Sequence, residues 1–310
     1  GDYSIITKAQ ALALDGHFVI EQTVRNKSGF FINFNGTGGV WRKKCIEDAG
    51  NWHADTLTED LDLSYRAQLI GWRFVFLKDF TSPAELPSEI NALKAQQFRW
   101  TKGAVETAKK ILPLVWKSKV PLRVKLQSTF HLTNNLVFPF ILLAAILNVP
   151  LIFIKNSGAH EIYFAIMSLF VLAFVSSFLF YLYSQKDIHT DWRKRIVLFP
   201  LFMAGSMGLA VNNSRAVFEG LMNRKSEFVH TPKFKQESDK DTFIGNKYLN
   251  KKLGLSVFVE AVLAVYCFIG VLSSIYFMEL ASIPFQVLFT LGFSFIAYTS
   301  IKHAFATKKI

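Results

Sequence analysis

Residues 128–154 run through VFPFILLAAILNVPLIFI, and residues 162–183 follow as IYFAIMSLFVLAFVSSFLFYLY. Two more apolar stretches, 255–278 and 283–301, close the chain. A helix needs about 20 mostly apolar residues to cross a bilayer, and inside it every backbone amide must be satisfied internally. Each of the four stretches meets that length. A fifth, 196–211, is shorter and is interrupted by Pro200, Gly205 and Gly208. Length and breakers there predict an interfacial or re-entrant helix.

Charge separates these runs from the rest. Residues 1–125 hold 18 Lys/Arg and 13 Asp/Glu, as a soluble domain would. Of the 17 Lys/Arg after residue 125, 13 fall between Lys186 and Lys252, and Lys302, Lys308 and Lys309 end the chain. If 196–211 does not cross, the positive-inside rule puts every basic cluster in the cytosol. The prediction is therefore a multi-pass protein of the cell (inner) membrane with four crossings and a cytosolic N-terminal segment. A net charge of +12 with mean hydropathy +0.27 excludes a disordered chain and a single soluble domain. The clustering of Lys/Arg beside apolar spans points to membrane lipid as a partner, and not to nucleic acid. Cys45 and Cys267 sit in unlike surroundings and are expected to be reduced. Glu260, about one turn into an apolar run, is expected to reach the headgroups unless it has a function.

In the N-terminal segment, 30–34 (FFINF) reads as a short buried strand leading into Asn35-Gly36-Thr37-Gly38-Gly39. Residues 42–49 read as a helix stopped by Gly50. Thr58 reads as the cap of a helix from Glu59 to about Leu69, stopped by Gly71, with Trp72–Leu77 as a second strand. Ser88–Lys110 reads as a long helix. Strand, loop, helix and strand together give an α/β pattern.

Two clusters can carry chemistry. Glu59, Asp60 and Asp62 open a helix, where the macrodipole alone is reason enough for carboxylates. Gln96-Gln97-Phe98-Arg99-Trp100 combines amides, a permanent cation and an indole. Arg offers paired donors to phosphate, and Trp offers a face for stacking on a sugar. An ordinary amphipathic helix would account for the same residues.

Thr58-Glu59-Asp60, followed some forty residues later by QQFRW and then by membrane spans, resembles the processive family 2 glycosyltransferases: cellulose synthase, cellulose-synthase-like mannan synthases and bacterial relatives. Residues 14–18 (LDGHF), 33–42 (NFNGTGGVWR), 55–66 (DTLTEDLDLSYR) and 83–86 (PAEL) are similar to the same family. The resemblance implies an inverting transferase that moves sugar from a nucleotide-sugar (a UDP- or GDP-sugar) to a growing polysaccharide or lipid-linked acceptor. It implies Asp60 as general base. It also implies substrate contacts from Thr58, Glu59, Gln96, Gln97, Arg99, Trp100, Asn35 and Gly36. Phe228, Thr231 and Lys233 match a gating-loop motif in part. The resemblance implies Mg²⁺ or Mn²⁺ as well, held mainly by an upstream DxD; the one DxD string here, Asp60-Leu61-Asp62, overlaps the first motif. The expectation is thus a fragment, inactive alone. Its 1–115 is the C-terminal half of an α/β GT-A domain, and 116–127 is an interfacial linker. The helix pairs 128–183 and 253–310 flank 184–252, which carries the interfacial helix and gating-like loop. A catalytically inactive translocation subunit and a non-processive lipid glycosyltransferase are the alternatives.

Overall fold

The computed structural model describes residues 4–36, 38–158, 160–167, 169, 171–226 and 254–306. The N-terminal segment contributes α1 (Ile5–Asp15), a π-helical turn (Gly16–Gln22), α2 (Thr23–Lys27), α3 (Lys43–Asp48), α4 (Glu59–Leu69) and α5 (Ile90–Lys117). There follow α6 (Leu122–Thr133), α7 (Val137–Asn156), α8 (Glu161–Met167), α9 (Val171–Ile188), α10 (Trp192–Ile196), α11 (Phe199–Gly208), α12 (Ala210–Leu221), α13 (Leu255–Tyr276) and α14 (Ile283–Ala306).

Neither expected strand forms a ladder, and no strand occurs among the described residues. The expected α/β pattern is thus replaced there by helices with extended segments between them. Residues 30–34 and 72–77 are extended, but side chains occupy the place of a neighbouring strand. Gln68 Nε2 donates to the Ile32 carbonyl at 2.7 Å, the Ile32 amide donates to Gln68 Oε1 at 3.1 Å, and the Phe34 amide donates to Ser64 Oγ at 2.8 Å. Asn26 does the same for the second segment, donating to the Phe74 carbonyl at 2.7 Å and accepting from the Phe76 amide at 3.0 Å. A buried backbone group needs a partner but not a particular one, and amide and hydroxyl side chains on α2 and α4 supply it. Tyr65, Ala108, Ile111, Val115 and Leu132 form the core beneath α4, joining α5 to α6.

Among the described residues, four helices are long and apolar enough to cross a membrane: Leu122–Asn156, Ile162–Ile188, Leu255–Tyr276 and Ile283–Phe305. The first starts at 122 and not 128, because α6 runs almost directly into α7. The fifth stretch joins two helices, Trp192–Gly208 and Ala210–Leu221, bent by 46° at the break. The bend falls beside Gly208, one of the three breakers noted in the sequence. Gly208 also lets α11 meet α14. A Cβ on Gly208 would lie 2.3 Å from the Gly292 carbonyl oxygen, and one on Gly292 would lie 2.2 Å from that of Ala204. Backbone touches backbone here, as small residues allow between helices in lipid. Gly292→Val is therefore expected to separate the two helices and sharply lower the yield of detergent-stable protein, whereas Gly205→Ala, where a Cβ meets nothing within 4 Å, should be silent in the same size-exclusion assay.

Glu260 does not reach the headgroups. It is fully buried on α13, with both oxygens on Lys94 Nζ of α5 at 2.7 and 2.9 Å. The partner comes from the N-terminal segment, which is why the local sequence around Glu260 gave no sign of it. The ion pair pins the helix bearing the QQFRW motif, two residues before Gln96, to one of the four candidate spans. Breaking a buried pair leaves one charge uncompensated and costs about 3–5 kcal/mol. Glu260→Leu should lower thermal stability by that amount, and Lys94→Met with Glu260→Leu together should recover most of it. A melting series of the three proteins checks this.

Candidate active site

Helix α5 acts as the ruler on which the site is laid out. Its Glu89 side chain caps the start, accepting from the Ala92 amide at 2.7 Å. It continues past Pro113 to Lys117, beyond the expected end at 110. Positions 99, 103, 106/107 and 110 lie along one side at helical spacing, and the segment from His53 to Asp62 runs along that side.

Gly103 is the closest point. A Cβ there would stand 2.6 Å from Thr58 Cγ2 and 2.8 Å from both the Thr58 amide nitrogen and Oγ1. Thr58 Oγ1 lies 3.2 Å from Thr107 Oγ1, and the Leu57 amide donates to Glu106 Oε2 at 3.0 Å. Thr58 was expected to cap α4 through its side chain. It makes no such bond; the hydroxyl turns to α5 instead, because docking the turn on Gly103 points it there. Gly103, Glu106 and Thr107 were not singled out from the sequence, although Gly103 lies one helical turn after Arg99.

Asp60 is half-buried in the first turn of α4. Its Oδ2 accepts from the Gly36 amide and its Oδ1 from the Leu61 amide, each at 2.8 Å. Gly36 has φ +58°, in the left-handed region that suits glycine, so the loop turns its N–H onto the carboxylate. Burial raises the Asp60 carboxyl above its ordinary range; the two amides pull it back and the neighbouring Glu59 adds to the rise. Asn35, beside Gly36, accepts from Asn33 Nδ2 at 2.7 Å.

Arg99 is half-buried, and the charges of Glu59 and Asp60 both act on it. Desolvation lowers its guanidinium from the usual value while the two carboxylates raise it, and it stays cationic at neutral pH. The first and second sequence motifs thus come together, 39 positions apart in the chain, through Asp60 and Arg99. Gln96 and Gln97 are half-buried on the same helix, and Trp100 is 41% exposed. Phe98 faces elsewhere, toward α12, with Arg215 at 5.4 Å and Lys102 at 6.0 Å from its ring.

The acidic string does not act as a unit. Asp60 faces Gly36, whereas Asp62 is fully buried on the other side, with Arg66 Nε at 2.8 Å and Lys110 Nζ at 3.0 Å. Asp62, His53 and Asp55 offer ligand atoms within 4.8 Å of one another, a spacing fit for a metal. The Lys110 ammonium already stands among them, 3.1 Å from His53 Nδ1 and 2.9 Å from Asp55 Oδ1. With Lys110 in place, these three residues do not fit Mg²⁺ or Mn²⁺.

A buried polar group underlies the site. His17 in the π-helical turn pairs with Glu21 at 2.7 Å, and Glu21 also pairs with the buried Arg25. Burial, and then the Arg25 charge, push the His17 imidazole down to about 4, so it is neutral at pH 7. Tyr65 bonds His131 Nδ1 at 2.6 Å in the same region. At the far end of α5, Lys109 donates to the Leu221 carbonyl at 2.7 Å and Lys102 to the Arg224 carbonyl, closing the C-terminus of α12. Phe228, Thr231 and Lys233 lie outside the described residues.

Residues 3–184 match the family described as Glycosyl transferase family group 2. The chain is 33% identical over 237 residues to Probable glucomannan 4-beta-mannosyltransferase 10 of Arabidopsis thaliana, covering 74% of this chain and 40% of that protein. It is 34% identical over 241 residues to Glucomannan 4-beta-mannosyltransferase 1 of Cyamopsis tetragonoloba, covering 74% and 42%. It is 39% identical over 134 residues to Glucomannan 4-beta-mannosyltransferase 1 of Oryza sativa subsp. japonica, covering 43% and 25%. The chain thus spans between a quarter and about two-fifths of the length of these relatives. No solved structure matches it.

Proposed function

Because the chain belongs to Glycosyl transferase family group 2, we propose that it is the acceptor-side and membrane part of an inverting β-glycosyltransferase that extends a polysaccharide. Asp60 takes the proton from the acceptor hydroxyl, and Arg99 faces the diphosphate as negative charge builds on it. The observation that supports this most directly is the convergence of Asp60 and Arg99, a raised carboxyl within Coulomb range of a half-buried cation. A base must reach its proton in the pose where bonds change, and a fixed cation aimed at a leaving diphosphate costs no reorganisation when the charge appears. Trp100 offers its exposed indole face for stacking on the terminal sugar, with Gln96 and Gln97 one turn back as amide partners. Asn35 and Gly36 set the carboxylate from the opposite loop, and the docking of Thr58 on Gly103 sets the distance between the two halves.

Family enzymes use a divalent cation to neutralise the nucleotide diphosphate. Since His53, Asp55 and Asp62 are neutralised by Lys110 and Arg66, the cation in this reading is held by residues other than these. The α/β GT-A half proposed for 1–115 would use the extended segments 30–34 and 72–77 as its strands where further chain pairs with them. The relatives named as glucomannan 4-beta-mannosyltransferases make mannosyl transfer the first reaction to test. Membranes containing the full-length protein, given labelled GDP- and UDP-sugars with Mg²⁺ or Mn²⁺, should form a β-linked polymer from one of them. Absence of incorporation from every donor, with correctly inserted protein, would favour the translocation subunit, and addition of a single sugar to lipid would favour the non-processive transferase.

A further inference from the structure

Where the second span ends, α1, α9 and α10 enclose a cleft of about 350 Å³. Lys8 and Leu12 enter it one turn apart on α1, Gln185 closes it from the end of α9, and Lys194, Arg195 and Leu198 come from α10 and the turn after it. Three cations face one carboxylate, that of Asp191, and it is committed: its Oδ1 accepts from Arg195 Nε at 3.0 Å and orients the guanidinium. The other carboxylates at this end of α9 are also taken. Asp15 Oδ2 meets Gln185 Nε2 at 2.9 Å and His189 Nε2 at 3.0 Å, and Asp187 pairs with Lys78. Neither Lys8 nor Lys194 makes an ion pair among the described residues. Among the described residues, Lys8 and Lys194 thus bring positive charge to the cleft that no carboxylate pairs.

Its other half is apolar. Leu12 is 3% exposed and Leu198 is half-buried. On α9, Leu172, Val175, Leu179 and Tyr183 are exposed at helical spacing, an apolar face of the kind lipid covers. Beside it, Arg193 lies 5.2 Å over the ring of Trp192, a cation and an amphipathic aromatic of the kind that settles at the level of lipid headgroups. A soluble anion would use only the lysines. A phosphodiester carrying acyl chains would use the lysines for its charge and the leucines for its glycerol and first methylenes. We propose that this cleft binds the phosphodiester headgroup of an anionic membrane lipid, at a site that shares no residue with the one around Asp60. The inference does not depend on glycosyl transfer, so it stands or falls apart from that reading.

The test is native mass spectrometry of the purified protein titrated with phosphatidylglycerol or phosphatidylcholine of the same acyl chains. The wild type should retain phosphatidylglycerol preferentially. Lys8→Gln with Lys194→Gln should reduce that preference by roughly thirtyfold, two membrane-surface cations' worth. The pair Lys8→Arg and Lys194→Arg should keep it, as should Lys119→Gln, an exposed lysine outside the cleft. Lys194 is exposed, so Lys194→Gln alone remains usable if the double variant does not fold, with a proportionately smaller loss. Equal retention of the two lipids, or the same loss in Lys119→Gln, overturns the proposal. So does displacement of bound phosphatidylglycerol by millimolar inorganic phosphate, which would mark a site for free anions.

Discussion

Asp60→Asn in the full-length enzyme is expected to lower the rate of sugar transfer by about 10²- to 10⁴-fold, the range a positioned general base contributes, with donor affinity nearly unchanged. Asn keeps the size of the side chain and an oxygen for the Gly36 amide but cannot take a proton. The same variant should be at least as stable as the wild type near pH 7. The folded carboxyl holds its proton to higher pH than the unfolded one, because burial disfavours the ionised form. Its contribution to stability is therefore greatest below the unfolded value and is lost as pH rises through the folded one. At neutral pH the protein carries this carboxylate at a cost, and Asn removes the cost. In the wild type, the acidic limb of kcat/KM should lie above the ordinary aspartate value of about 3.9, with activity falling as pH drops through it. Transfer and melting temperature measured on one preparation test both halves. Retained transfer removes Asp60 from the role of base, and a large loss of stability makes it a structural residue.

Gly103→Ala is expected to be nearly as damaging to activity, although residue 103 touches no substrate in this reading. Two of the three atoms its Cβ would meet belong to the Thr58 side chain, but the third is the Thr58 backbone nitrogen at 2.8 Å. A side chain can rotate away; a backbone atom moves only with the turn that holds it. The Thr58–Asp60 turn must therefore shift by several tenths of an ångström or more relative to Arg99. Misplacement on the order of 1 Å costs about 10²-fold in rate. Adding Thr58→Ala removes Cγ2 and Oγ1 yet leaves the nitrogen, so the double variant should recover only part of the lost rate. Full recovery would mean that side-chain crowding alone had mattered. No loss in the single variant would mean that the turn is not set by this contact. Assaying transfer with Gly103→Ala, Thr58→Ala and the pair, alongside Gly205→Ala as a substitution into open space, separates these outcomes.

The parts of the site that were legible in the sequence were those written in short, contiguous patterns. TED and QQFRW carry the family resemblance, and α4 has its expected bounds, beginning after Thr58 and ending before Gly71, which has φ +101°, whereas α5 runs on past its expected end to Lys117. The residues that join them are a glycine, a threonine and a glutamate spread over one face of α5. Nothing marks them until the opposite surface is known. The two expected strands do not form ladders among the described residues, for a related reason. FFINF and WRFVFL have the right composition, but a strand is a relation between two segments, and here Gln68, Ser64 and Asn26 supply the partner that a ladder would have provided. Glu260 was read as a headgroup-seeking acid because its counter-ion lies 166 residues earlier.

By itself the sequence determined the four apolar spans, the breakers at the bend before α12, the polar N-terminal segment and the two motifs, because each depends on the transfer of a local run of side chains between water and lipid or on backbone preferences a few residues wide. Only the tertiary structure decided which charges meet. It put Arg99 within the electrostatic influence of Asp60, Lys110 inside the His53–Asp55–Asp62 group and Lys94 on Glu260, and among the described residues it left Lys8 and Lys194 without a carboxylate partner. Coulomb and hydrogen-bond partners are fixed by distance in space, and distance in the chain carries no information about it until the helices have packed.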